Sequence, residues 1–403
     1  MSTPPDTDRG SGLAAVRSAV DEAGAIGFLQ VDRGRTPSRR YLTRQQGPDR
    51  ETAVLFCPGD DSQPPEAIYC VPNDVAAVAE PPTATDDSVG WQIVGRPPTT
   101  PTGQQVQALL TDRVGEPGDR PLLVPRDLPH DTAVFLQEAG YTLQSTAAVR
   151  TARATKTQAE RDCLTAVQAA AADGMARAET VLAASDHDDG LVFEGRPLAG
   201  DQLRRAINTE LASLGVSPAD NTRITVPTVG PTDQLPQGEP ICIQLAPRGP
   251  QGYHAHLTRT FVVNSDGGWE RRAAVAAEAG LRAAARQIEP GVDVSTVEGE
   301  TIAEIGAYGF AVAAETDNSQ ARATATVHGV GLSTHEQPAP GTQSTLQAGS
   351  VIAIEAGVVD PTAGAIRLGT LRAVTEEGSV RLASFPVSLT PTERPASADS
   401  DRT

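Results

Sequence analysis

Six histidines occur in the 403-residue chain, and two of them, His328 and His335, share the short segment VHGVGLSTHEQP. Imidazole titrates near neutrality and ligates metals, so such a pair suits proton transfer, metal binding or both. Gly329 and Gly331 remove side chains there and let the backbone approach a ligand or a neighbouring strand closely. A tight turn around a satisfied histidine is the plainer alternative. His254 and His256 lie two apart in GYHAHLTRTFVV; on a strand both would face the same way, a spacing that fits metal ligation as well as ordinary polar packing. In SVIAIEAGVV, Glu355 is the only charge in an apolar run that predicts a central strand. A carboxylate buried there without a partner would cost several kcal/mol, so it needs a cation. The candidates are Arg367, on the strand that follows, and a metal ion.

The elements that must position these residues are read from hydrophobic periodicity. From Gly12 to about residue 149, strand-like runs (AIGFLQV, TAVLFCP, EAIYCVP, PLLVP) alternate with helical patterns (LAAVRSAVDEAG, QQVQALLTD, DTAVFLQEAG). Such alternation predicts an α/β domain of largely three layers, and the absence of a phosphate-cradling glycine loop argues against dinucleotide binding. A long helix is expected next, with Thr157 as its N-cap, Glu160 as the capping partner, and Leu164, Val167, Met175, Val181 and Leu182 as its apolar stripe. From about 150 to 390, helices mix with hairpin-like strands (PICIQLA, AHLTRTFVV, SVIAIEAGVV, IRLGTLRAVTEE), which predicts an α+β domain on an antiparallel sheet. Residues 1–11 and 391–403 are polar, Pro- and Ser-rich stretches expected to be disordered tails.

Composition narrows the function classes. A hydrophobic content of 39% suffices for a sizeable core, and the length suggests two domains. Asp and Glu number 51 against 33 Lys and Arg, a formal charge of −18, which would repel nucleic acid and anionic membrane surfaces. Lys156 is the only lysine, and aromatic residues make up 3%; this acidic, lysine-poor composition is expected of a protein adapted to a salt-rich archaeal cytoplasm. Cys57, Cys70, Cys163 and Cys242 lack CxxC spacing and read as free thiols. The amino terminus lacks the pattern of a signal peptide, and no apolar run reaches membrane-span length, so a cytoplasmic location is expected.

Four ordered segments resemble the pita-bread metallopeptidase family, which includes aminopeptidase P, prolidase, methionine aminopeptidase and creatinase. GYHAHLTRTFVV is similar to its Gly-Tyr-x-x-Asp-Ile-Thr-Arg-Thr-Phe strand, VHGVGLSTHEQP to its His-Gly-x-Gly…His-Glu-x-Pro, VIAIEAGVV to its Val-x-x-x-Glu-Pro-Gly-x-Tyr, and AIRLGTLRAVTEEG to its Val-Arg-x-Glu-Asp…Val-Thr-x-x-Gly. The amino-terminal half and the junction VRTARATKTQAERDCLTAVQAAAADGM resemble the creatinase-type amino-terminal domain and its connecting helix. The resemblance implies an α+β protein: a creatinase-type α/β amino-terminal domain over 12–149 and a pita-bread domain over 150–390. It also implies a homodimer and a peptide or small amide as ligand.

The family's catalytic domain holds two divalent metals through two Asp, one His and two Glu, activating a bridging water for amide hydrolysis. Carried over by position, the metal histidine is His328 and the first Glu is Glu355. The first Asp, expected roughly eleven residues before the second, falls at Leu245, next to Gln244; the second Asp falls at His256; the bridging Glu falls at Gly369. Glu336, Asp360 and Glu376 are near in sequence but take none of the missing positions, and Gln237 stands where a substrate-side histidine is expected. A conventional two-metal site is therefore not expected. What the resemblance retains is His335 and His328 as catalytic candidates, His254 and Arg367 as substrate contacts, and Thr258 to Thr260 of the motif strand. His256, His328 and Glu355 would be the ligands of a single Zn, Mn or Fe ion. Two readings follow: a non-catalytic peptide- or protein-binding member of the family, or a hydrolase of Xaa-Pro peptides or small amides using one metal or none.

Overall fold

A computed structural model describes residues 11–59, 64–82, 89–186, 190–312 and 320–392. The expected disordered tails lie largely outside the described residues. At their inner ends they are ordered: Ser11 already belongs to the first helix, and Thr392 donates through its N and Oγ1 to Glu179 Oε1, at 3.2 and 3.1 Å. Two compact units make up the chain, Met1–Arg153 and Ala154–Thr403.

The first unit is built on strands β1 (Gly27–Asp32), β2 (Thr52–Cys57), β3 (Glu66–Pro72), β4 (Gly90–Arg96), β5 (Leu122–Val124) and β6 (Leu143–Ser145) in the order β4-β3-β2-β1-β5-β6. Its helices are α1 (Ser11–Ala23), α2 (Pro37–Thr43), α3 (Asn73–Ala76), α4 (Thr102–Val114), α5 (His130–Glu138) and α6 (Ala148–Ala152). Strands β1, β2 and β3 pair antiparallel, whereas β5, β6 and β4 join in parallel. β1 and β2 are buried along their whole length, which explains their near-continuous apolar sequences. Leu29, Val31, Leu55, Ile68, Val106, Leu110 and Leu136 pack into one core between sheet and helices.

The second unit opens with α7 (Gln158–Ala183), whose N-terminus is a capping box: Thr157 Oγ1 accepts from Glu160 N at 3.3 Å and Glu160 Oε2 accepts from Thr157 N at 3.0 Å. Its apolar stripe, Leu164, Val167, Met175, Val181 and Leu182, is buried as the spacing predicts. Three further helices follow, α8 (Gly200–Ser213), α9 (Trp269–Gln287) and α10 (Val294–Gly306). After the short hairpin β7 (Val192–Phe193) and β8 (Arg196–Pro197) come β9 (Thr222–Thr225), β10 (Ile241–Leu245), β11 (Leu257–Phe261), β12 (Arg322–Gly329), β13 (Val351–Asp360), β14 (Gly364–Thr375) and β15 (Gly378–Arg381). They form a seven-stranded sheet ordered β12-β13-β14-β11-β10-β9, with β15 on β14, and every pairing in it is antiparallel. Ala273, Ala276 and Ala277 of α9 pack with Ala356, Val358 and Ile366 of the sheet; alanines there let the helix lie close to the strands.

One expectation about the strands is corrected. β11 starts at Leu257, not before His254, because Gln168 of α7 caps His256 instead: Gln168 Nε2 donates to the His256 carbonyl and Gln168 Oε1 accepts from His256 N, each at 2.9 Å. His254 and His256 therefore do not sit together on one strand face.

Candidate functional site

The register of the second sheet sets six residues in one transverse row: Thr326 on β12, Glu355 on β13, Gly369 on β14, Thr258 on β11, Gln244 on β10 and Arg223 on β9. Gly369 is the pivot of that row. It stands between Glu355 and Thr258, and a Cβ placed on it would lie 2.9 Å from both Thr258 Cβ and Oγ1 and 3.1 Å from His256 Nε2. The missing side chain thus opens a gap through which the Glu355 carboxylate reaches across a strand. In that gap Glu355 Oε1 accepts from Thr258 Oγ1 at 2.6 Å and from Gln244 Nε2 at 3.0 Å, and lies 3.1 Å from His256 Nε2. Arg259, also buried, secures the seam on either side by donating to the carbonyls of Thr258 and Gly369 at 2.7 and 2.8 Å.

The histidines extend this cluster. The His256 and His328 rings meet edge to face with centroids 5.5 Å apart, and His335 stacks on His328 at 4.1 Å and an interplanar angle of 19°. His328 Nδ1 donates to the Gly329 carbonyl at 3.1 Å. His335 is exposed, as are Arg223, Thr326 and Arg367, while Glu355 and Gln244 are half-buried.

Electrostatics follow from that packing. Burial alone would raise the Glu355 carboxyl, but the hydrogen bond and charge of His256, the Thr258 hydroxyl and the field of Arg367 outweigh it and bring it down to about 2. Burial, then the neighbouring His256, pushes the His328 imidazole down to about 4 against the opposing pull of the Gly329 carbonyl. His335 is lowered too, first by burial and then by His256. His328 is thus a neutral ring at physiological pH, with its proton on Nδ1. Three thiols are not activated: burial raises Cys57 to about 12 and Cys70 and Cys242 to about 11.

Among the residues singled out from sequence, His256, His328, His335 and Glu355 converge. Arg367 does not close an ion pair on Glu355; it stands exposed on β14, between β13 and β11, and acts through its field. His254 turns away, its Nδ1 donating to the Ala246 carbonyl at 3.1 Å. Leu245 is fully buried in the apolar core; strand alternation puts its neighbour Gln244, not Leu245, on the face of the cluster. The other acids are occupied elsewhere. Glu336 pairs with Lys156 at 3.1 Å, Asp360 Oδ1 accepts from Thr362 and Ala363 in the β13–β14 turn, and Glu376 lines a separate cavity of about 600 Å³. Gln237 accepts from Asn264 Nδ2 at 3.2 Å. Sequence reasoning missed Gln168 and Arg259 as organisers of the cluster. Arg259 was visible in the TRTF motif, but only the register shows that it ties two carbonyls together.

The donor set does not fit the two-metal centre that the resemblance implies. Position 245 is core, position 369 has no side chain and no room for one, position 256 offers a ring nitrogen already directed at Glu355, and the facing residue Gln244 is an uncharged amide donating to that same oxygen. His256, His328 and Glu355 are brought together as expected: His256 Nε2 lies 3.1 Å from Glu355 Oε1, and the His328 ring packs edge to face on His256. Among the described residues, no group of three His, Cys, Asp or Glu side chains is placed to hold a metal ion.

Comparison with known proteins agrees with the architecture. Residues 206–376 match the model of metallopeptidase family M24. A probable dipeptidase PepE of Mycobacterium tuberculosis is 27% identical over 158 residues, which are 39% of this chain and 40% of that protein. The alignment thus spans well under half the length of the curated relative. Among solved structures, an Xaa-Pro dipeptidase from Bacillus anthracis superposes with a TM-score of 0.76 at 19% identity, covering 95% of this chain and 99% of that one. Dipeptidase PepE from Mycobacterium ulcerans gives 0.74 at 21% identity, covering 96% and 99%. At such identities the superpositions establish a shared fold, a creatinase-like α/β domain followed by a pita-bread domain. Residues 206–376, which hold the ordered motifs, are thus similar to metallopeptidase family M24, within a chain that has the fold of these solved structures.

Proposed function

We propose that this protein is a ligand-binding member of the M24 family, recognising a peptide or a protein segment on the open face of its second sheet without two-metal hydrolysis. One observation carries the reading. The Glu355 carboxylate, which a metal pair would need, is held by Gln244, His256 and Thr258 across a gap that exists because residue 369 is glycine. A ligand would meet the exposed groups around that cluster: His335, Thr326, Arg223 and Arg367. The two guanidinium groups, with the one acid of the row already engaged, favour a ligand that presents a carboxylate. That Xaa-Pro dipeptides suit this face is suggested by the Xaa-Pro dipeptidase that shares the fold. A homodimer belongs to the same reading and is checked by sedimentation equilibrium.

The test is a pair of measurements on the same preparation. Xaa-Pro dipeptides are incubated with the protein and Mn(II), Co(II) or Zn(II), and their binding is followed by calorimetry. Binding with no release of proline supports the proposal. Hydrolysis that disappears in His328→Ala restores the peptidase reading, and the absence of both binding and hydrolysis removes the ligand-binding one.

A further inference from the structure

Lys156 is the single lysine of a chain whose other strong cations are all arginine, and it is not on the surface. Its ammonium lies 3.1 Å from Glu336 Oε2, with the two side chains only 2% and 4% exposed, and donates to the Ala154 carbonyl at 3.2 Å. A compact ammonium fits this place, where the larger planar guanidinium would need more room. The main chain around it is pinned as well: Lys156 N donates to the Gly349 carbonyl at 2.9 Å, and Arg161 donates to the Lys156 carbonyl at 2.6 Å.

Glu336 is the internal post of the loop that follows β12. Its Oε1 accepts from Ser333 N at 3.1 Å, and its own N donates to the Gly329 carbonyl at 2.8 Å. The Glu336 carboxylate occupies the space that a Cβ on Gly331 would take. His335 is the residue immediately before this post, and its ring lies on His328.

We propose that Lys156 is a positioning residue of the candidate site: it fixes Glu336, Glu336 folds the loop, and the loop lays the His335 ring on His328. The consequence for ligand affinity rests on the binding function proposed above; the geometric claim does not. The test uses the full chain labelled uniformly with ¹³C and ¹⁵N. Lys156→Met removes the ammonium beside the Glu336 carboxylate, so the paired variant Lys156→Met with Glu336→Gln, which removes both charges of the pair, is made beside it. In wild type the Cε1–H resonance of His335 carries the upfield displacement of a ring stacked at 4.1 Å, and His328→Ala identifies it by removing it. In the folded paired variant that displacement is expected to vanish while the β13 and β14 amide resonances keep their wild-type shifts. A His335 resonance that stays displaced in that variant overturns the proposal. Loss of the displacement in a protein whose wild type binds no peptide upholds the positioning role and rejects the binding function, so the two fail separately.

Discussion

Glu355 shows how a half-buried carboxylate can be held by converging hydrogen-bond donors. A half-buried carboxylate is costly, yet three donors converge on one of its oxygens and Arg367 adds a favourable field. Hydrogen bonds to a charged group contribute about 1.5–3 kcal/mol each, and orphaned donors add a desolvation cost. Glu355→Ala is therefore expected to lower unfolding stability by about 2–4 kcal/mol, read as a reduced urea midpoint at unchanged slope. Wild-type stability would mean that the cluster is not held as described. His328 gives a second residue-scale prediction. Its folded value is near 4 against an ordinary value of 6.5, so as pH falls the unfolded chain takes up the proton first. The stabilisation from keeping this ring neutral is complete above pH 6.5 and is lost progressively down to pH 4, a change of about 3 kcal/mol. Glu355 acts in the same direction in a lower window, from its ordinary 4.5 to about 2. Urea titrations across pH 7 to 4 should show this slope in wild type and a much flatter one in His328→Asn; identical slopes would contradict the assignment.

At the scale of elements, the site depends on strand register and on two anchors outside it, the α7 N-terminus and the loop after β12. Replacing the N-cap, Thr157→Ala, removes one half of the capping box and is expected to cost about 1 kcal/mol, visible as a lower melting temperature. Helices and most strands were legible in the sequence because their periodicity is local: the α7 stripe and the apolar runs of β1 and β2 are where their spacing puts them. His328, His335 and Glu355 were legible through motif order. The failures are cross-strand. Nothing local to GYHAHL reveals that Gln168, far away in sequence, takes over the hydrogen bonds of His256 and delays the strand until Leu257. Counting back along the motif points to Leu245, whereas the alternation of β10 turns Gln244 toward Glu355. The gap over Gly369 is a property of three strands in register and is invisible in any one of them.

At the scale of the molecule, a formal charge of −18 on 403 residues makes self-repulsion a term in folding stability. Concentrated salt screens it, with a Debye length falling to about 3 Å at 1 M. The melting temperature is expected to rise on going from 0.1 to 2 M KCl, and a protein most stable at the lowest salt would contradict the reading of its composition. Among the described residues no helix is long and apolar enough to cross a membrane. The central claim, that the Glu355 cluster is organised by hydrogen bonds where the resemblance would put a metal pair, is tested most directly by equilibrium dialysis. Chelator-stripped protein is dialysed against Mn(II), Zn(II) or Co(II), and bound metal is counted per chain. The account predicts that no pair of ions is retained and that His256 resonances are unchanged by the metal. Two ions bound per chain, displacing the His256 signal, would contradict it.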